Sequence, residues 1–388
     1  CASVPFGVGP GEANLVEIHL STCDDGVGFT AIAAGELHSL ALDADGNAWA
    51  WGYDGNGQLG DAGTSSSQDA PVAVDMPDGV SFTAIAAGSG HSLALDTNGN
   101  AWAWGYDVFG QLGDGGRNSN QDAPVAVAMP DGVSFTTVAA GGLHSLALDA
   151  DGNAWAWGYD GYGQLGDGGT SSSQDAPVAV AMPDGVSFTA IAAGFYHSLA
   201  LDTNGNAWAW GYDGNGQLGD GGTSSNQFAP VAVDMPDGVS FTAIAAGSGH
   251  SLALDTNGNA WAWGYDGNGQ LGDGGTSLNQ FAPVAVAMPD GVSFTAIAAG
   301  FYHSLALDTN GNAWAWGYDG YGQLGDGGTS LNQFAPVAVA MPDGVSFTAI
   351  AAGSGHSLAL DTNGNAWAWG YDGYGQLGDG GSNSNQFA

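Results

Sequence analysis

Seven histidines stand at positions 38, 91, 144, 197, 250, 303 and 356, each 53 residues after the one before. A serine follows every one, as in His38-Ser39, so two ingredients of nucleophilic hydrolysis recur seven times. A second constellation is ionic: Asp54 and Asp61 place two carboxylates in a Gly-rich loop whose carbonyls can also ligate, a donor set suited to calcium. Paired carboxylates can also cleave glycosidic bonds.

Geometry limits this chemistry. A zinc ligand must approach to about 2 Å and one ion takes about four ligands, so histidines spread one per repeat around a channel cannot converge. The alternative is that each histidine opens a strand and bonds to backbone in the turn before it. Neighbours on a strand point to opposite faces, so His38 and Ser39 cannot act as base and nucleophile together. Catalysis needs one asymmetric constellation, and near-identical repeats argue against an enzyme. The turns "DADGN" and "DTNGN" have the flavour of calcium loops but are shorter and fit tight hairpins better. The expectation is therefore no catalytic residue and no cofactor, with calcium at Asp54 and Asp61 weighed against solvated aspartate turns.

The elements that position these residues follow from the period. The first repeat holds four strand-like segments, "FTAIAAG" (29–35), "HSLALD" (38–43), "NAWAWG" (47–52) and "APVAVD" (70–75), named A to D from a central channel outwards. A period near 50 built of short strands predicts an all-β fold, a seven-bladed β-propeller with four-stranded blades. Alternation puts His38, Leu40 and Leu42 on one face of strand B, and Trp49 and Trp51 on one face of strand C. From this each sheet is expected to have a bulky side and an alanine side, with both tryptophans of every repeat in the core. The last repeat ends in "SNSNQFA", short of its D strand, and "LVEIHL" (15–20) is the one earlier segment able to supply it. The propeller is thus expected to span 15–388 after a tail at 1–14, its ring closed by an N-terminal strand, since an open ring leaves an unpaired edge.

The repeated pattern G-x-x-H-S-L-A-L-D, G-N-A-W-A-W-G, G-Q-L-G resembles the repeat of the regulator of chromosome condensation family, over residues 15 to 388. The resemblance implies a seven-bladed propeller with a face used to bind protein. Members of that family include a nucleotide exchange factor for a nuclear GTPase, a plant ultraviolet photoreceptor and secreted bacterial inhibitors of β-lactamase. The photoreceptor carries tryptophans in the A–B turn beside the histidine. Here those turns read "GELHS", "GSGHS", "GGLHS" and "GFYHS", and the tryptophans lie on strand C. Neither the exchange activity nor the photoreception follows from these residues.

Charge narrows the partners. One basic residue, Arg117, stands against 39 acids, a net charge of −38. Nucleic acid and anionic membrane surfaces are bound through Lys and Arg, so both are excluded as partners. All the acids but Glu12, Glu17 and Glu36 are aspartate, which suits turns; high-salt adaptation is the other reading. No apolar run reaches about 18 residues, so no membrane-spanning segment is expected. The sequence starts at Cys1, as a processed, exported chain does, with a lipid anchor at Cys1 or a Cys1–Cys23 disulfide as alternatives. The expected setting is extracellular or at the cell surface.

Function should lie where the copies differ. The A–B turn carries Phe195-Tyr196 and Phe301-Tyr302 in two repeats. The C–D loop tip carries Phe109, Tyr162, Tyr321 and Tyr374 where others have Asn56, Asn215 and Asn268. Further along, Asp69, Asp122 and Asp175 give way to Phe228, Phe281, Phe334 and Phe387, joined by Leu278 and Leu331. The A–B turns and C–D loops emerge on one side, so these aromatics predict a binding face. The reading is a non-enzymatic extracellular propeller, a protein-interaction or structural module that self-assembles into a surface layer, fibre or matrix. The alternatives are a secreted binder or inhibitor of a specific protein or glycan, and a lyase or glycosidase.

Overall fold

The computed structural model describes residues 15–18, 28–63, 66–117, 119–169, 172–222, 225–275, 278–328 and 331–382. Among these, every regular element is a strand. The first is β1 (Val16–Ile18). Blade 1 then holds β2 (Phe29–Ala34), β3 (His38–Asp43), β4 (Ala48–Gly52) and β5 (Gln68–Ala73), strands A to D in antiparallel order. The set repeats to give seven four-stranded sheets, a seven-bladed β-propeller. The last comprises β26 (Phe347–Ala352), β27 (His356–Asp361), β28 (Ala366–Gly370) and, as its outer strand, β1. Val16, Glu17 and Ile18 pair with Ala368, Trp367 and Ala366, so the two ends of the chain share one blade. The cysteines of the expected disulfide or anchor, the tail at 1–14 and Phe387 lie outside the described residues. No helix among those described is long and apolar enough to cross a membrane.

The packing differs from the expected bulky and alanine sides. In blade 1, Leu40 sits opposite Ala50, and Ala41 opposite Trp49. Residues directly opposite share a face, so each face carries one large strand and one small strand. Leu40, Leu42, Ala48 and Ala50 of blade 1 therefore meet Phe82, Ala94 and Trp104 of blade 2, large against small in both directions. The correction comes from the antiparallel register, which sets the two bulky strands on opposite faces.

The tryptophans also divide. Trp51 and its six equivalents are buried at 0–1% exposure. Trp49 and five equivalents are half-buried, and each gives its indole N–H to the aspartate that ends strand B, 3.2 Å from Trp49 to Asp43. Asp43 also accepts from the backbone of Asp45 and Asn47 and from the Asn47 amide. Burial pulls its pKa up, but these donors, led by Asn47, outweigh it and hold the carboxyl below its ordinary value. Most of the repeated acidity on the B–C side is thus turn chemistry. Strand D begins two residues earlier than expected, at Gln68, and its Pro71 blunts the blade's outer edge.

Candidate functional site: an aromatic face at the channel mouth

The repeated histidines meet their own A–B turns through the backbone alone, His38 C=O accepting the Gly35 N–H at 2.8 Å, while the imidazoles reach elsewhere. The Nε2 of His38 lies 2.9 Å from Ser92 Oγ of the next blade, and the pairing repeats around the ring until His356 meets Ser39 at 3.1 Å. Ser92 donates to the Gln58 carbonyl at 2.8 Å. A hydroxyl has one proton and a carbonyl can only accept, so the imidazole donates from Nε2. That polarity is the reverse of a general base drawing a proton from serine. Both side chains are fully buried, and burial pushes the His38 pKa down to about 3. The turn glycine is required here: a Cβ on Gly35 would lie 2.4 Å from His38 Cε1 and 2.5 Å from the Gly88 carbonyl.

The C–D loop is half core. Trp104 of blade 2 donates to the same Gln58 carbonyl at 2.9 Å, and Gln58 and Leu59 are fully buried. Asp54 is 1% exposed and accepts the Leu59 N–H at 2.9 Å. Burial drives its pKa up to about 6 against that hydrogen bond, and its six equivalents rise likewise to about 6 or, for Asp372, about 7. Asp61, the other expected calcium ligand, accepts the Gly63 N–H and the Gln68 amide. Among the described residues no three His, Cys, Asp or Glu side chains gather where a metal ion could sit.

The expected aromatics lie on the side where A–B turns and C–D loops emerge, and they touch one another. Each tip residue leans onto the next blade: Phe109 on Tyr159 at 4.8 Å, Tyr162 on Tyr212 at 5.0 Å, Tyr321 on Tyr371 at 4.9 Å, Tyr374 on Tyr53 at 5.0 Å. Tyr162 also meets Tyr196 at 5.0 Å, which joins tips to turns. Phe195 and Phe301, two blades apart, meet edge-on at 5.5 Å over the channel, and each stacks on its own tyrosine, Tyr196 or Tyr302. Tyr302 and Tyr321 both contact Tyr318, so the contacts run unbroken from Phe109 to Tyr53. Tyr302, Tyr321 and Tyr374 are 37–40% exposed, while Phe109, Tyr162, Phe195, Tyr196 and Phe301 are half-buried.

Sequence reasoning missed the receiving partners, the tyrosines that follow strand C in every repeat. Their invariance disguised them as scaffold. Phe228 is half-buried against Gly163, whereas Phe281 and Phe334 are 37% and 38% exposed against Gly216 and Gly269.

This ring of seven blades, with a His–Ser seam between neighbours, can be set beside known proteins. The RCC1-like domain model matches residues 7–289 and again 109–387. This chain belongs to that family. Within the RCC1-like family it is similar to the ultraviolet-B receptor UVR8 of Arabidopsis thaliana, 30% identical over 357 residues, 92% of this chain and 80% of the receptor. It is also similar to human HERC2, an E3 ubiquitin-protein ligase, at 34% identity over 86% of this chain but only 7% of that protein. Among solved structures, human WBSCR16 superposes with a TM-score of 0.78 at 22% identity, covering 90% of this chain and 87% of that one. Prp20p of Saccharomyces cerevisiae gives 0.73 at 24% identity, covering 88% and 82%. The likeness to these two is one of fold.

Proposed function

We propose that this RCC1-like propeller is a non-enzymatic protein-interaction module that binds through the face of A–B turns and C–D loops. The observation that carries the reading is the connected aromatic tract, from which Tyr302, Tyr321 and Tyr374 emerge. Tyrosines held by neighbouring rings present rigid contact area at little entropic cost, which is what interface anchors need. Prp20p is described with binding properties to Gsp1p and histones, and yeast RCC1 bound to Kap60; both lend support to a protein partner here. The buried His–Ser pairs, with their protons committed, support a non-catalytic role.

Self-assembly in an extracellular setting belongs to the same proposal, with a condition. Two copies each carrying −38 repel, so their faces associate only where salt or a divalent cation such as calcium screens the charge. Sedimentation at low and high salt, with and without calcium, tests this.

The binding reading is tested by Tyr302→Ser with Tyr321→Ser. Proteins captured by the wild type and by an opposite-face control, Asp184→Ser, should be lost from the double variant while its melting temperature stays nearly unchanged. An unchanged captured set overturns the assignment of the face.

A further inference from the structure

The channel mouth on the aromatic face is a cavity of about 180 Å³, walled by the alanines and glycines that end strand A in each blade. One residue per blade follows that glycine: Glu36, Ser89, Gly142, Phe195, Ser248, Phe301 and Ser354. Backbone bonds link six of these seven residues to the next blade. Glu36 N–H donates to Gly88 at 3.2 Å, Ser89 to Gly141 at 3.3 Å, Gly142 to Gly194 at 3.1 Å, Phe195 to Gly247 at 3.2 Å and Phe301 to Gly353 at 3.1 Å. Ser354 then donates to the Glu36 carbonyl at 3.3 Å, across the seam where the last blade meets the first.

Sevenfold symmetry breaks here in a chemically pointed way. Among the described residues Glu36 is the one charged side chain lining the cavity, and the ring order sets it across the channel from Phe195. Gly142 leaves the space that Phe195 fills: a Cβ there would lie 2.9 Å from the ring. Phe195 and Phe301 hold each other edge to face. Burial raises the Glu36 pKa above its ordinary value, and the nearby Ser89 side chain only partly opposes this. Among the described residues no basic side chain lines the cavity to meet that carboxylate.

We propose that the channel mouth is a binding site for a single alkylammonium group, either a free amine or the end of a lysine side chain. The carboxylate of Glu36 pairs with the ammonium, and the Phe195–Phe301 pair supplies apolar wall and ring quadrupole for its methylenes and charge. The cavity is sized for a few heavy atoms and not for a folded segment. The overall negative field raises the local concentration of any cation at this mouth. The inference stands independently of whether the surrounding face is the protein-binding surface.

The test is calorimetric titration of the full chain with n-butylammonium against n-butanol, at ionic strength matched with sodium. Binding of the amine and not of the alcohol is expected. Glu36→Gln should weaken it about ten-fold or more, the loss of one charge-assisted contact. Because that variant keeps nearly all of the negative charge, general attraction of cations is unchanged and cannot account for the loss. Phe195→Leu with Phe301→Leu should weaken it about three- to five-fold, with circular dichroism confirming the fold. Equal binding of amine and alcohol, or no effect of Glu36→Gln, overturns the proposal. A short Gly-flanked lysine peptide binding at least ten-fold more tightly than n-butylammonium, and losing that advantage when its lysine is acetylated, assigns the source to a protein side chain. Equal affinities assign it to a free amine.

Discussion

Blades 2 and 3 receive an aspartate, and blades 4 to 6 a phenylalanine, at one and the same seat. Asp122 and Asp175 rest against the tip glycines Gly57 and Gly110 of the preceding blades, and Phe228, Phe281 and Phe334 rest against Gly163, Gly216 and Gly269. The glycines keep φ between 80° and 86° throughout, a left-handed conformation that glycine adopts freely. One backbone thus accepts a charge or a ring without adjustment. In the aspartate arc the seat is polar, and Arg117 of the blade 2 loop pairs with Asp175. In the phenylalanine arc Leu278 and Leu331 stand 65% and 64% exposed beside Phe281 and Phe334. The interior fixes the fold, while the skin is free to carry an apolar arc on one side and a polar arc on the other.

The comparison breaks first if the interiors differ. Trp157→Ala in blade 3 and Trp316→Ala in blade 6 should each cost about 3–5 kcal/mol in urea unfolding and agree within about 1 kcal/mol. A larger gap would mean that the arcs are not equivalent beneath the surface.

A second test uses protons. The seven Asp54-type carboxyls have folded pKa values raised to about 6–7, so their contribution to stability is full near pH 4 and is lost as pH rises through 6. The seven histidines are depressed to about 3–4, so their contribution is full above 6.5 and is lost as pH falls. Near pH 5 the folded state holds most of the seven carboxyl protons and the unfolded state most of the seven imidazole protons. Unfolding then exchanges almost none, and stability should be flat. Asp107→Asn, which keeps an acceptor for the Leu112 N–H, removes one folded-state proton. Its stability should fall by about 1.4 kcal/mol per pH unit towards acid near that pH, relative to the wild type. The same tilt from Asp266→Asn in the other arc would show that the balance is sevenfold.

The smallest expected effect sharpens the comparison. Phe281→Asp with Phe334→Asp should change stability by no more than about 0.5 kcal/mol, since both rings are surface residues. Retention on a hydrophobic-interaction column should nevertheless fall clearly. Asp122→Phe should raise it.

Most of the fold was legible because the period is the fold: 53 residues, four strands, and a last repeat lacking the piece that Val16–Ile18 supplies. Two things were harder to read. His38 and Ser39 point to opposite faces, so six histidines face the serine of the next repeat, 54 residues on, and His356 faces Ser39 across the closure; the fixed His-Ser dipeptide held that information. The tyrosines after strand C were concealed because a search for variation passes over what does not vary. Counting strand reversals brings the A–B turn and C–D tip aromatics to one side, where Tyr162 meets Tyr196. Their division into a channel pair, Phe195 with Phe301, and an outer set depends on side-chain contacts that no spacing rule gives.

The closing strand has a further meaning for how such a chain finds its own ends. The interiors of the blades are nearly alike, so a slip by one whole repeat would preserve the buried packing inside the array. Val16–Ile18 is the exception: its segment shares no wording with the other outer strands, Leu15 packs on the cluster that holds Trp367, and that indole is 8% exposed where its six equivalents stay half open. The chain therefore carries a terminator as well as repeats. It marks the joint at which the two ends of the ring are stitched into one blade.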